Sequence, residues 1–156
     1  MTTRRTRAAD ALTDLIIDVL RLNGLLMTAG DRMVAGLGLT SPRWQVLRAI
    51  YDAERAQPVA WLARDMGGNR QNVQRIVNDL QKMGLVTLEV NPHHRRAPLV
   101  VLTDKGRQTY DEASRLQAPW ANRLSENLAI KDIDTTRRVV AELRKRLELN
   151  GEPAST

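Results

Sequence analysis

His93 and His94 are the only two histidines in this 156-residue chain, and Arg95 and Arg96 follow them directly. Neighbouring imidazoles could hold a metal or move protons, whereas neighbouring guanidiniums could grip phosphate. In an extended segment adjacent side chains point to opposite faces, so two histidines in a row do not converge on one ion. A metal centre usually draws three or four ligands. The chain has no cysteine, and the nearest acid, Glu89, stands at no recognisable ligand spacing. The two arginines would also repel a dication. No paired carboxylates, no nucleophile–histidine–acid set and no glycine-rich phosphate loop occur elsewhere. These residues imply no metal, no cofactor and no enzyme, and the arginine pair points to a polyanion.

The charge distribution agrees. The net charge is +6, but residues 1–39 contribute only +1 and residues 108–156 none. Residues 40–107 hold eleven basic and six acidic side chains, so nearly all the excess lies in the segment containing the arginine pair. A local basic excess fits a nucleic-acid partner; a solvated basic surface is the alternative. With 42% hydrophobic and 27% charged residues the chain has the makings of a globular core. The absence of cysteine excludes disulfides and thiol chemistry. No apolar run reaches the length of a membrane span, and the basic start "MTTRRTR" leads into no signal-peptide core. The expectation is a cytoplasmic protein with no membrane partner.

A second group of side chains suits base edges. In "RQNVQRIVNDLQKMG", Val73, Ile76, Val77, Leu80 and Met83 recur at helical spacing and form one apolar stripe. Arg70, Gln71, Asn72, Gln74, Arg75 and Asn78 take the opposite face, which carries no glutamate, and Asn69 stands at its head. Arginine matches the two acceptors of guanine, and asparagine or glutamine the acceptor–donor pair of adenine.

The surrounding elements must position these groups. Residues 9–36 read as one helix, striped by Leu12, Leu15, Ile16, Val19, Leu22, Leu26 and Met33, and stopped by Gly36 and Gly38. Ser41 is the expected N-cap of the next helix, with Pro42 in its first turn and Trp44, Leu47, Ile50 and Tyr51 facing inward. Pro58 begins a short helix, and Gly67-Gly68-Asn69 breaks the chain before the polar helix. From Leu85 the period changes to two: Val86, Leu88 and Val90 share one strand face, Asn91-Pro92 turns, and "PLVVL" returns. Thr103 caps a helix striped by Tyr110, Ala113, Leu116, Trp120 and Leu124, which Pro119 should kink. Ile133, Val140, Leu143 and Leu147 stripe a last helix, and the tail from 151 to 156 is expected to be disordered.

Helix, helix, tight turn, helix and two-stranded hairpin describe a winged helix-turn-helix, in which the second helix of the motif enters the major groove. The fold class expected is mainly α with a small β-hairpin. Within it, "LTSPRWQVLRAI", "VAWLARDMGGNRQNVQRIVNDLQKMGLV" and "HHRRAPLVVLTDKG" resemble the core of the MarR (multiple antibiotic resistance regulator) family of transcription factors. The likeness covers Leu39 to about Arg107. It lies in "LT" before an aromatic-centred helix, "LA" in the short helix, "V-x-R" in the polar helix, "GLV" entering the wing, and "RRA" with "LT-x-KG" closing it. Four positions depart from the family pattern. His94 replaces an acid commonly found before the arginines, Asn91 an Asp at the start of the turn, Trp61 a polar residue and Asn72 a Thr.

The resemblance implies an N-terminal dimerisation helix over 1–38, a DNA-binding region over 39–107 and C-terminal dimerisation helices over 108–150. It implies a homodimer on a pseudo-palindromic double-stranded operator, most often as a repressor. Arg70, Gln71, Asn72, Gln74 and Arg75 would read bases or bind neighbouring phosphates. Ser41 would bond a phosphate, and Asn69, Asn78, His94, Arg95 and Arg96 would complete the contact. It also implies a small aromatic or phenolic effector, with Trp44, Arg48, Tyr51, Trp61 and Trp120 as candidates for its wall. A ligand-independent DNA-binding regulator and a winged module for an acidic protein partner are the other readings.

Overall fold

The computed structural model describes residues 4–150, apart from the side chain of Asn150. The expected disordered tail lies outside the described residues. The chain divides into two compact units, one ending at Ala118 and the other beginning at Pro119.

In the first unit, α1 runs from Arg7 to Val34. Thr6 caps it by accepting from the Ala9 N–H at 3.1 Å, and Asp10 sits favourably in its first turn. A 3-10 turn over Ala35–Leu37 ends it, slightly earlier than the glycines suggested. Next, α2 spans Ser41–Asp52. Thr40, not Ser41, occupies the N-cap position, which moves Ser41 inside the helix. Ser41, Val46 and Leu47 are the buried residues of α2, whereas Tyr51 is 42% exposed. Leu47 is buried and Trp44 and Ile50 pack partly buried against the core, as the spacing suggested, but Tyr51 instead stacks on Tyr110, ring centroids 4.3 Å apart.

A two-residue strand that periodicity could not reveal follows: β1, Gln57–Pro58. Then come α3 (Val59–Asp65), α4 (Arg70–Lys82), β2 (Val86–Glu89) and β3 (Leu99–Leu102). The expected hairpin is thus part of a three-stranded antiparallel sheet ordered β1-β3-β2. Gln57 pairs with Val100 and Pro58 with Leu99; Val86 pairs with Leu102 and Glu89 with Leu99. Pro58, with no N–H to give, sits on an edge strand, where none is demanded of it. Val90 falls outside the sheet and is 80% exposed, so its expected place on the strand face is not realised.

The core gathers Val34, Leu47, Leu62, Val77, Leu80, Leu85 and Val100 from every layer around α4. One knot holds α4, the sheet and α5 (Asp104–Leu124) together. The Thr103 hydroxyl donates to the Gly84 carbonyl at 2.7 Å and accepts from the Gly106 N–H at 3.0 Å. Lys105 Nζ donates to the Met83 carbonyl at 2.8 Å. A Cβ at Gly106 would run into the Leu85 carbonyl, so only glycine lets α5 approach so closely. This is the physical content of "LT-x-KG".

Pro119 lies inside α5 without ending it. In the second unit, α6 covers Ile130–Asn150 and is exposed along nearly its whole length, including Val140 and Leu147. Among the described residues no helix is long and apolar enough to cross a membrane.

Candidate nucleic-acid interface

The polar helix α4 is placed by its ends and its back. At its start Gly67 takes φ +65°, a conformation open to glycine without penalty, and the Gly68 N–H returns to the Ala63 carbonyl at 2.8 Å. Asn69 then caps the helix, its Oδ1 accepting from the N–H groups of Gln71 and Asn72 at 2.9 and 3.2 Å. Val73, Val77 and Leu80 are buried behind it. At its flank Arg43 of α2 meets Asp79 at 3.1 Å. Sequence reasoning missed this pair, since no local rule connects residues so far apart in the chain.

With its back fixed, α4 presents Arg70, Gln71, Asn72, Arg75 and Asn78 to solvent, and Gln74 is half-buried. Two bonds order this face: Gln74 Nε2 donates to Asn78 Oδ1 at 2.9 Å, and Arg75 donates to Asn72 Oδ1 at 3.2 Å. Planar donors and amides are thus held on a rigid helix, the arrangement that groove reading requires.

Asn91 builds the wing tip. It is 7% exposed, and its amide works in both directions: Nδ2 donates to the Ala97 carbonyl at 2.9 Å, and Oδ1 accepts from the His93 N–H at 3.0 Å. The Ala97 N–H closes the loop on the His94 carbonyl at 2.9 Å. A carboxylate could accept from the His93 N–H but could not donate to the Ala97 carbonyl. An amide here therefore ties both sides of the turn without the usual acid. His93, His94, Arg95 and Arg96 are all exposed, and among the described residues no side chain pairs with them.

Two groups of expected site residues are placed differently. Ser41 is 3% exposed, its hydroxyl donates to the Met27 carbonyl at 2.7 Å, and its N–H donates to Asp31 at 2.6 Å. It joins α2 to α1, and the phosphate contact expected of it is corrected to this structural one. The five residues expected to wall a ligand have varied surroundings. Trp44 is half-buried, its ring turned toward Gly30. Arg48 pairs with Asp52 at 3.1 Å. Trp61 stays 43% exposed on α3, with Arg55 and Arg64 at 5.6 and 5.9 Å from its ring centre. Trp120 belongs to the second unit. Of the five, Tyr51 alone lines a cleft of about 310 Å³, shared with Ile50, Arg55, Glu89 and Arg107.

A polar reading helix behind a glycine turn, with a basic wing beside it, is the geometry of a DNA-binding winged helix. Residues 37–97 match the MarR family. The chain belongs to the MarR family. It is a DNA-binding transcriptional regulator of that family, which groups regulators rather than enzymes. An uncharacterized protein of Mycobacterium tuberculosis is 39% identical over 129 residues, covering 83% of this chain and 89% of its own. The transcriptional activatory protein BadR of Rhodopseudomonas palustris is 28% identical over 141 residues, covering 85% and 80%. Two solved MarR-like structures share the fold. CouR from Rhodococcus jostii, bound to p-coumaroyl-CoA, superposes with TM-score 0.75 at 21% identity over 84% of this chain and 92% of its own. The M. tuberculosis regulator MOSR, in complex with DNA, superposes with TM-score 0.73 at 24% identity over 86% and 96%.

Proposed function

We propose that this MarR-family regulator works in the cytoplasm as a homodimer on a pseudo-palindromic operator, represses there, and releases when a small aromatic or phenolic anion binds. The observation that carries the reading is the solvent face of α4, where Arg70, Gln71, Asn72, Arg75 and Asn78 stand exposed with no acid among them. Arg95 and Arg96 extend the basic surface onto the wing. Asp79, the one acid on α4, is turned aside by Arg43.

Exposed apolar side chains around α1 support the dimer. Ile17, Leu20, Leu22 and Leu25 are 42%, 66%, 52% and 71% exposed in the single chain. Exposed apolar surface on this scale marks an interface, and a second copy meets it symmetrically. Two reading helices related by a two-fold axis would then engage half-sites about one helical turn apart.

The effector has two supports: the solved relative bound to an aromatic acyl thioester, and the cleft where Tyr51 lies with Arg55 and Arg107. A ring on Tyr51 and an anionic group on the arginines would fill that cleft, and the strand β3 that walls it leads to the wing. Repression needs no surface beyond the DNA-binding one. The activatory relative favours the opposite sign of control, and reporter output with and without the protein decides between them.

Selection of binding sites from random duplexes, followed by gel-shift titration, tests the core of this reading. An enriched pseudo-palindrome is expected, and Arg75→Ala should lose about 1–3 kcal/mol of affinity and relax base preference. No enrichment and no steep salt dependence would instead favour an acidic protein partner.

A further inference from the structure

We propose that the wing is a proton-linked DNA contact, in which His93 and His94 join Arg95 and Arg96 against phosphate as they take up protons. Operator affinity then rises as pH falls. This rests on the reading of the hairpin as a DNA-binding wing.

The geometry starts with Asn91. Its amide and the His94–Ala97 backbone bond spend the polar backbone of the turn inward. Four consecutive side chains, His93 to Arg96, are left facing water. Among the described residues none of them has an ion pair or a side-chain hydrogen bond, from the hairpin or from any other element. The only acid on the hairpin is Glu89, at the end of β2, where it lines the cleft with Glu54, Arg55 and Arg107 rather than the tip. With neutral imidazoles, two arginines against Glu89 give the stretch 89–96 a charge of +1; with both imidazoles protonated the charge is +3.

Imidazole is the side chain that ordinarily changes charge between about pH 5 and 8. The chain has no other histidine and no cysteine, so both of its imidazoles lie on the wing. Phosphate beside an imidazole favours its cation. The complex therefore binds more protons than the free partners do. By linkage, an association that takes up protons strengthens as pH falls and weakens as it rises.

The test uses the full chain and a short labelled duplex enriched by the selection above, read by fluorescence anisotropy. At ~0.1 M salt the wild-type protein should gain affinity between about pH 8 and pH 6, by up to about eightfold per imidazole engaged, the worth of one phosphate contact across a decade of salt. The slope of log K against log salt should steepen by about 0.9 per imidazole over the same change. The His93→Gln/His94→Gln variant should show a ratio between the two pH values near one. A flat wild-type response, or a double variant as steep as wild type, overturns the proposal. Arg95→Ala/Arg96→Ala separates it from its premise. If that variant binds as tightly as wild type, the hairpin does not touch DNA and the underlying reading fails. If it binds weakly while wild type is pH-flat, only the proton linkage fails.

Discussion

Arg43 Nη2 lies 3.1 Å from Asp79 Oδ2, joining α2 to the flank of the reading helix. The two side chains are 31% and 35% exposed, so water screens the pair without dissolving it. It also ties the one carboxylate on α4 to α2. A double-mutant cycle with Arg43→Ala and Asp79→Ala, followed by urea denaturation, should return a coupling of about 0.2–1 kcal/mol. Strictly additive losses would mean the contact contributes nothing to stability.

Asn91 holds the wing through a donor and an acceptor on one amide. Asn91→Ala should therefore destabilise the fold by about 0.5–1.5 kcal/mol, because the part-buried Ala97 carbonyl loses its partner. Asn91→Asp keeps the acceptor and loses the donor, so its thermal midpoint should fall between those of wild type and the alanine variant. Equal midpoints for the two variants would show that the Ala97 bond alone matters.

Gly106 sits where a Cβ would strike the Leu85 carbonyl. A backbone atom cannot swing aside like a side chain, so α5 must shift. Gly106→Ala is expected to lose about 1–3 kcal/mol on chemical denaturation, despite the better helix propensity of alanine. A neutral or stabilising result would mean that α5 slides freely over the knot formed by Thr103 and Lys105.

Leu20 and Leu25 are 66% and 71% exposed on α1 in the single chain. Leu20→Glu/Leu25→Glu should leave the winged core folded, since neither residue contributes to it, yet shift the sedimentation profile from dimer to monomer. Loss of avidity should then weaken binding to a two-half-site duplex far more than to a single half-site. An unchanged profile would place any self-association on other surfaces.

Much of this protein is legible in one dimension because its signals are local. The 3.6-residue stripe of α4, the change to period two after Leu85 and the glycine break before Asn69 each depend on near neighbours alone. So does the choice of exposed side chains on α4: once Val73, Val77 and Leu80 face the core, helical geometry sends Arg70, Gln71, Asn72 and Arg75 to the other side. The wing arginines stood out for the same reason.

Long-range contacts decided the rest. Two residues make too short a strand for periodicity, so β1 exists only because β3 offers it a partner. Ser41 has the chemistry of a phosphate ligand, but α1 packs over it and takes its hydroxyl and its N–H. Trp44 and Trp61 are of the type that walls a ligand, but packing leaves Trp44 half-buried beside Gly30 and Trp61 43% exposed between two arginines. Residue type and spacing determined that there would be a reading helix, a basic wing and an unpartnered apolar stripe on α1. Tertiary packing determined which polar groups remain free to act, because a hydrogen bond or a burying helix supplied from elsewhere in the chain leaves no trace in the local pattern.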